Sequence, residues 1–167
     1  MLIRALAVVM LGLAAPSVRA QGAEVPFGGL SHDATLPVEI TAEQLDLDQA
    51  AGVAVFTGAV RVGQGTLRLA AERLEVLYAD SSGSGTGTVE RMLASGGVTL
   101  SNGAEAAESE TAVYDVAAGT VEMQGDVLLT QGENALSSER LVIDLGAGTG
   151  RLDGRVRTIF APGEAGQ

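Results

Sequence analysis

The chain has 167 residues and a formal charge of −11, with 23 glycines, a single histidine, no cysteine and no tryptophan. Without cysteine there is no disulfide framework, thiolate zinc site or iron–sulfur cluster, and one histidine excludes a multi-histidine metal site within the chain. The acidic balance and an aromatic content of 3% exclude nucleic-acid binding, which needs clustered cations and, for single strands, stacking rings, while 46% hydrophobic residues exclude a disordered chain.

Residues 1–20 read as a secretory signal. Arg4 gives a positive start, Ala5 to Ala15 is an apolar run too short for a membrane span, and Pro16 breaks it. Val18 and Ala20 then stand three and one residues before a cleavage point at Gln21. A retained inner-membrane anchor is the alternative. Cleavage removes Arg4 and Arg19, taking the charge from −11 to −13. Residues 21–36 are expected to be a flexible lead-in.

A repeat governs the rest of the chain. Gly29, Gly58, Gly96, Gly125 and Gly154 are separated by 29, 38, 29 and 29 residues. The long interval contains nine residues of loop composition, Asp80 to Thr88, whose removal restores the 29-residue period. Other positions keep phase. Two after each marker come Val60, Val98, Val127 and Val156, and fourteen after it come Glu43, Glu72, Glu110 and Glu139. Sixteen and eighteen after it come Leu45 and Leu47, Leu74 and Val76, Ala112 and Tyr114, Leu141 and Ile143.

Each unit alternates with period two, so the repeats are half-buried strands and no helix is expected. Gln64-Gly65, Asn102-Gly103 and Gln131-Gly132 predict tight hairpins. Asp48 to Gly52 and Asp115 to Gly119 predict longer ones, with Asp accepting from loop amides and Gly supplying a positive φ. The unit reads as a meander of three or four short strands. One unit cannot bury its apolar face, so neighbours must stack. The expected product is an all-β antiparallel jellyroll, a folded-over sheet of ~29-residue repeats spanning residues 37–160, with open strand edges at both ends and a disordered tail at 161–167.

The residues give no enzyme. The four phased glutamates each stand just before a strand and read as corner residues, against a weaker reading as acid–base or calcium ligands. His32 has no phased partner, no serine sits in a Gly-x-Ser-x-Gly elbow, and Gly83 to Gly87 lacks the ending of a phosphate loop and reads as a mobile hairpin tip. No cofactor and no metal are expected. The apolar face is lined by Phe56, Val60, Val62, Leu74, Val76, Val98, Leu100, Tyr114, Met123, Val127, Leu129, Leu141 and Ile143, with Leu69 and Leu136. It is either a filled core or an apolar trough in which acyl chains would gain ~0.8 kcal/mol per CH₂ removed from water. Arg151, Arg155 and Arg157 are placed in the last strand, where they either protect the edge or form a charged contact with a partner.

Three stretches resemble the LptA (OstA-like) family of periplasmic lipopolysaccharide transport proteins. The first is Ile40-Thr41-Ala42-Glu43-Gln44-Leu45-Asp46-Leu47-Asp48, followed by Phe56-Thr57-Gly58-Ala59-Val60 through Gly65. The second is Ala71-Glu72-Arg73-Leu74-Glu75-Val76, and the third runs from Tyr114-Asp115 to Met123-Gln124-Gly125-Asp126-Val127. Two features depart from the family pattern: the Gly/Ser insertion at 80–88, and glutamate where aspartate is usual. The resemblance implies a jellyroll whose interior carries lipopolysaccharide acyl chains. It also implies end-strand pairing with an LptC-like inner-membrane and an LptD-like outer-membrane protein, and head-to-tail self-association. The edge candidates are Ile40, Leu45, Arg151, Arg155 and Arg157. Two other readings stay open: an LptC-like or LptD-amino-terminal module, and a structural β-solenoid without lipid.

Overall fold

The computed structural model describes the backbone of residues 23–26 and all of residues 36–79 and 87–160. The signal segment, most of the Gly/Ser insertion and the tail lie outside the described residues.

The chain is all-β, and the described residues contain no helix, hence none long and apolar enough to cross a membrane. The strands are β1 (Ala23–Pro26), β2 (Glu39–Thr41), β3 (Gln44–Asp48), β4 (Val53–Gln64), β5 (Leu67–Ala79), β6 (Thr88–Ser101), β7 (Glu105–Asp115), β8 (Thr120–Gln131), β9 (Asn134–Asp144), β10 (Thr149–Asp153) and β11 (Arg157–Ile159). Every pairing is antiparallel. The sheet order is β1-β10-β9-β8-β7-β6-β5-β4-β2, with β3 also on β4 and β11 also on β9. The chain is therefore the antiparallel jellyroll that the repeat predicts.

Each repeat unit is two long bent strands of 11–14 residues, not the three or four short ones expected. The ladder breaks register at the middle, between Thr57 and Val60, Ser95 and Val98, and Gln124 and Val127, then resumes with the same neighbour. A bulge bends a strand without ending it. At these three points, and between β10 and β11, two consecutive residues take positive φ: Gly58 and Ala59, Gly96 and Gly97, Gly125 and Asp126, and Gly154 and Arg155. Aligned across the stack, the bends form one fold line that divides the sheet into two walls. The first wall holds β3, the halves of β4 to β9 paired in that register, β10 and β1. The second holds β2, the other halves and β11.

The phased glutamates explain the fold line. Only Glu43 directly precedes a strand, β3; Glu72, Glu110 and Glu139 are mid-strand in β5, β7 and β9. Each side chain lies over the marker glycine of the next strand. A Cβ on Gly58, Gly125 or Gly154 would fall 2.8 Å from the Cβ of Glu43, from that of Glu110 and from that of Glu139 respectively, and one on Gly96 would fall 2.7 Å from that of Glu72. Glycine is required twice, for the backbone angle and for the space.

The hairpins form as read. Gln64 pairs with Leu67, and Gln131 with Asn134, across two-residue turns whose first central residue alone, Gly65 or Gly132, has positive φ. This is the II′ pattern that matches strand twist. In the longer loops Asp48 accepts from Ala50 and Ala51 at 3.0 Å, Asp115 from Ala118 at 2.9 Å, and Asp144 from Gly146 and Ala147 at 2.9 and 2.8 Å. Gly52, Gly119 and Gly148 close them at φ 64–65°.

Two expectations near the ends change. Part of the lead-in is a strand: Ala23–Pro26 pairs with β10 at the far end of the stack, a long-range partner that local composition cannot reveal. The last strand is two strands. Arg151 lies in β10, Arg155 at the bend and Arg157 in β11, because Gly154 sits on the fold line.

Candidate functional site

The site is the space between the two walls. Alternation sends one residue in two into it. From the first wall come Phe56, Leu74, Val76, Tyr114, Met123, Leu141 and Ile143, and from the second come Val60, Val62, Val98, Leu100, Val127 and Leu129. The structure thus brings all thirteen predicted trough residues into one continuous apolar cluster. Eleven are buried, and Phe56 and Tyr114 are partly so.

Packing along this interior is uneven. Around β8 to β10, Met123, Leu129, Leu141, Ile143 and Leu152 are all 0% exposed. Toward β4 the interior loosens, and a cavity of about 40 Å³ opens between Val38, Val62, Leu67, Leu69, Met92 and Tyr114, among others. That is room for two or three water molecules. Burial raises the Tyr114 phenol above its usual range, so it stays neutral in this apolar wall. Gln64 is the buried polar group here, and its amide donates to the Leu36 carbonyl at 2.8 Å.

The cavity also takes in Val38, Gln64, Leu67, Met92, Ala94, Ala112 and Val121, which the predicted trough residues do not include. The signal for four of them is in the repeat: Met92, Ala94 and Val121 stand four or two residues before a marker glycine, in phase with Ala54, Phe56 and Met123, and Ala112 stands sixteen after one, in phase with Leu74 and Leu141.

The five edge candidates divide between the two ends of the stack. Ile40 pairs with Val62 and Leu45 with Phe56, both from strands with no further described neighbour. Leu45 and its inward-phased companion Leu47 are 53% and 58% exposed, because no next strand covers them. At the opposite end Arg157 lies on the open strand β11, and Ile159 and Phe160 are exposed beside it. Arg151 is on β10, whose outer edge β1 already covers. Arg155 donates to Glu139 at 2.8 Å and belongs to the bend.

Outside the walls, charges neutralise one another locally. Arg140 makes a two-pronged contact with Glu122, 2.8 Å to each oxygen. Hydrogen bonds from Arg140 and then Gln124 pull the Glu122 carboxyl down to about 2 from 4.5. A depressed folded value means that this pair supports the fold fully above about pH 4.5, and that the support is lost as pH falls through about 2. Both side chains are a third or more exposed, so the contribution is modest. Glu122→Gln is expected to flatten the thermal midpoint against pH over this window, and an unchanged acid limb would contradict the assignment.

Residues 39–149 match the family described as LptA/(LptD N-terminal domain) LPS transport protein. An uncharacterized protein of Rhizobium meliloti (strain 1021) is 33% identical over 126 residues, covering 72% of this chain and 68% of the relative. Among solved structures the fold is similar to LptH from Pseudomonas aeruginosa, described as the LptA homologous periplasmic component of the conserved lipopolysaccharide transport device. The TM-score is 0.69 at 20% identity, covering 78% of this chain and 99% of that one.

Proposed function

The chain belongs to the LptA/LptD N-terminal-domain family of LPS transport proteins, and from that premise we propose that it is a periplasmic carrier that shields lipopolysaccharide acyl chains between its walls. The carrying observation is the apolar interior, continuous along the whole stack and left uncovered at the β2/β3 end. Acyl chains exceed the 40 Å³ cavity, so loading parts the walls about the fold line. The loosely packed end, at Phe56, Val62 and Tyr114, opens first. The sealed residues Met123, Val127, Leu129, Leu141 and Ile143 follow only if the parting spreads. Each CH₂ buried returns about 0.8 kcal/mol against the cost of separation. The phosphorylated headgroup stays outside an acidic protein, in solvent or near arginine.

Residues 1–20 would direct secretion to the periplasm and 37–160 would form the carrier domain. The open strands at the two ends would pair with an LptC-like inner-membrane protein, an LptD-like outer-membrane protein, or a further copy head to tail. Leu45 and Leu47 support this, since a following strand would cover both.

A photo-crosslinker replacing Phe56 or Tyr114 is expected to trap lipopolysaccharide in cells, and one at Arg73 or Glu75 on the outer face is not. Equal labelling at both sets would sink the trough. The small cavity favours a second reading, a structural β-solenoid with a sealed core, for which no lipid would co-purify on native mass spectrometry.

A further inference from the structure

The repeat fixes how one more strand would add to β10. In three places along the stack, the residue five before a marker glycine pairs with the residue nineteen after a marker: Val53 with Leu77, Arg91 with Asp115, and Thr120 with Asp144. In β10 the first such position is Thr149, and in β3 the second is Asp48. A second copy continuing the stack would therefore set Asp48 against Thr149, Leu47 against Gly150, Asp46 against Arg151 and Leu45 against Leu152.

That place is taken. β1 runs antiparallel to β10 with Pro26 against Thr149, Val25 against Gly150, Glu24 against Arg151 and Ala23 against Leu152. Ala-Glu-Val-Pro stands, position for position, where Leu-Asp-Leu-Asp of another copy would stand. Both place an acidic residue opposite Arg151 and apolar residues on either side of it. Resting on the end-pairing proposed above, we infer that β1 is an internal stand-in for the β3 strand of a partner copy. The chain caps its own β10 edge, and end-to-end pairing proceeds by exchanging one strand for the other.

The cap is built to be displaced. It has four residues, one a proline without an N–H to donate. Its advantage is tethering, which gives it an effective concentration in the millimolar range. The incoming β3 has five residues, would bury Leu45 and Leu47, and brings β2 to the open edge of β11. Self-association is thus suppressed at low concentration and switches on where copies are crowded or already aligned.

The absence of native cysteine makes the test clean. In the full chain carrying Glu24→Cys and Arg151→Cys, mild oxidation is expected to form an intramolecular disulfide. The locked protein should sediment as monomer at concentrations where its reduced form associates. In a mixture of Asp46→Cys and Arg151→Cys chains an intermolecular disulfide is expected. Its yield should rise several-fold when both chains also carry Glu24→Pro and Val25→Pro, which remove ladder donors of both parities from β1. If the 24–151 bond fails to form and the 46–151 yield ignores the prolines, the cap is overturned while end pairing stands. If the 46–151 bond never forms, even with the prolines, end pairing at this edge falls and the exchange with it. Crosslinking at Phe56 and Tyr114 reports on lipid independently of either failure.

Discussion

Leu141→Ala is expected to lower stability by about 2–5 kcal/mol, the cost of truncating a large core side chain whose neighbours collapse only partly into the void. Leu141 pairs with Met123 on one side and Leu152 on the other, and all three are fully buried. Urea unfolding would show the loss as a lower midpoint at unchanged slope. Phe56→Ala removes a larger side chain from the loosely packed end and is expected to cost less, because part of its surface already faces solvent. The reversed order would mean that the sealed and open ends have been wrongly distinguished, and with them the direction of loading.

Gly125→Val carries the second large effect. The residue has φ +84°, which a β-branched side chain adopts only under strain of about 1–3 kcal/mol. Its Cβ would also fall 2.5 Å from the Glu110 carboxylate and 2.7 Å from its Cγ, so the glutamate must leave the bend. Gly119 separates the two contributions. It has φ +65° and nothing within 4 Å of an added Cβ, so Gly119→Val suffers the backbone strain alone. Urea unfolding of both variants should show Gly125→Val as the more damaging, and Glu110→Ala in the same chain should recover part of the difference. Equal losses would mean that the glutamate does not pack on the bend.

Much of this architecture is legible in the sequence because hairpin chemistry is local. Asp48, Asp115 and Asp144 cap their own loops, and a glycine one turn later supplies the angle, so four or five residues suffice to read each loop. The inward face follows from alternation, which is why thirteen predicted trough residues fall in one cluster. The bend was not legible in the same way. Ala59, Asp126 and Arg155 adopt positive φ without being glycine; aspartate tolerates that region, but nothing in the identity of Ala59 or Arg155 announces it. The glutamates were found by phase, but their action is on a glycine of the neighbouring strand, 15 residues away for Glu43 and Glu110 and 24 for Glu72. The partner of β1 is more distant still, and only the assembled stack shows which edge it covers.

The hydrogen bonds of the ladder run along the stack, since strands succeed one another in that direction about 4.8 Å apart. A tension applied between the two ends therefore loads those bonds lengthwise and peels strands one at a time. Within the body each rung is a continuous strand of 11 residues or more, whereas each terminal rung is split into two short strands, β2 and β3 or β11 and β10, of three and five residues. A chain of such units pulled between two membranes would part at its joints and leave each unit whole, so that a strained span breaks and reseals without anything unfolding.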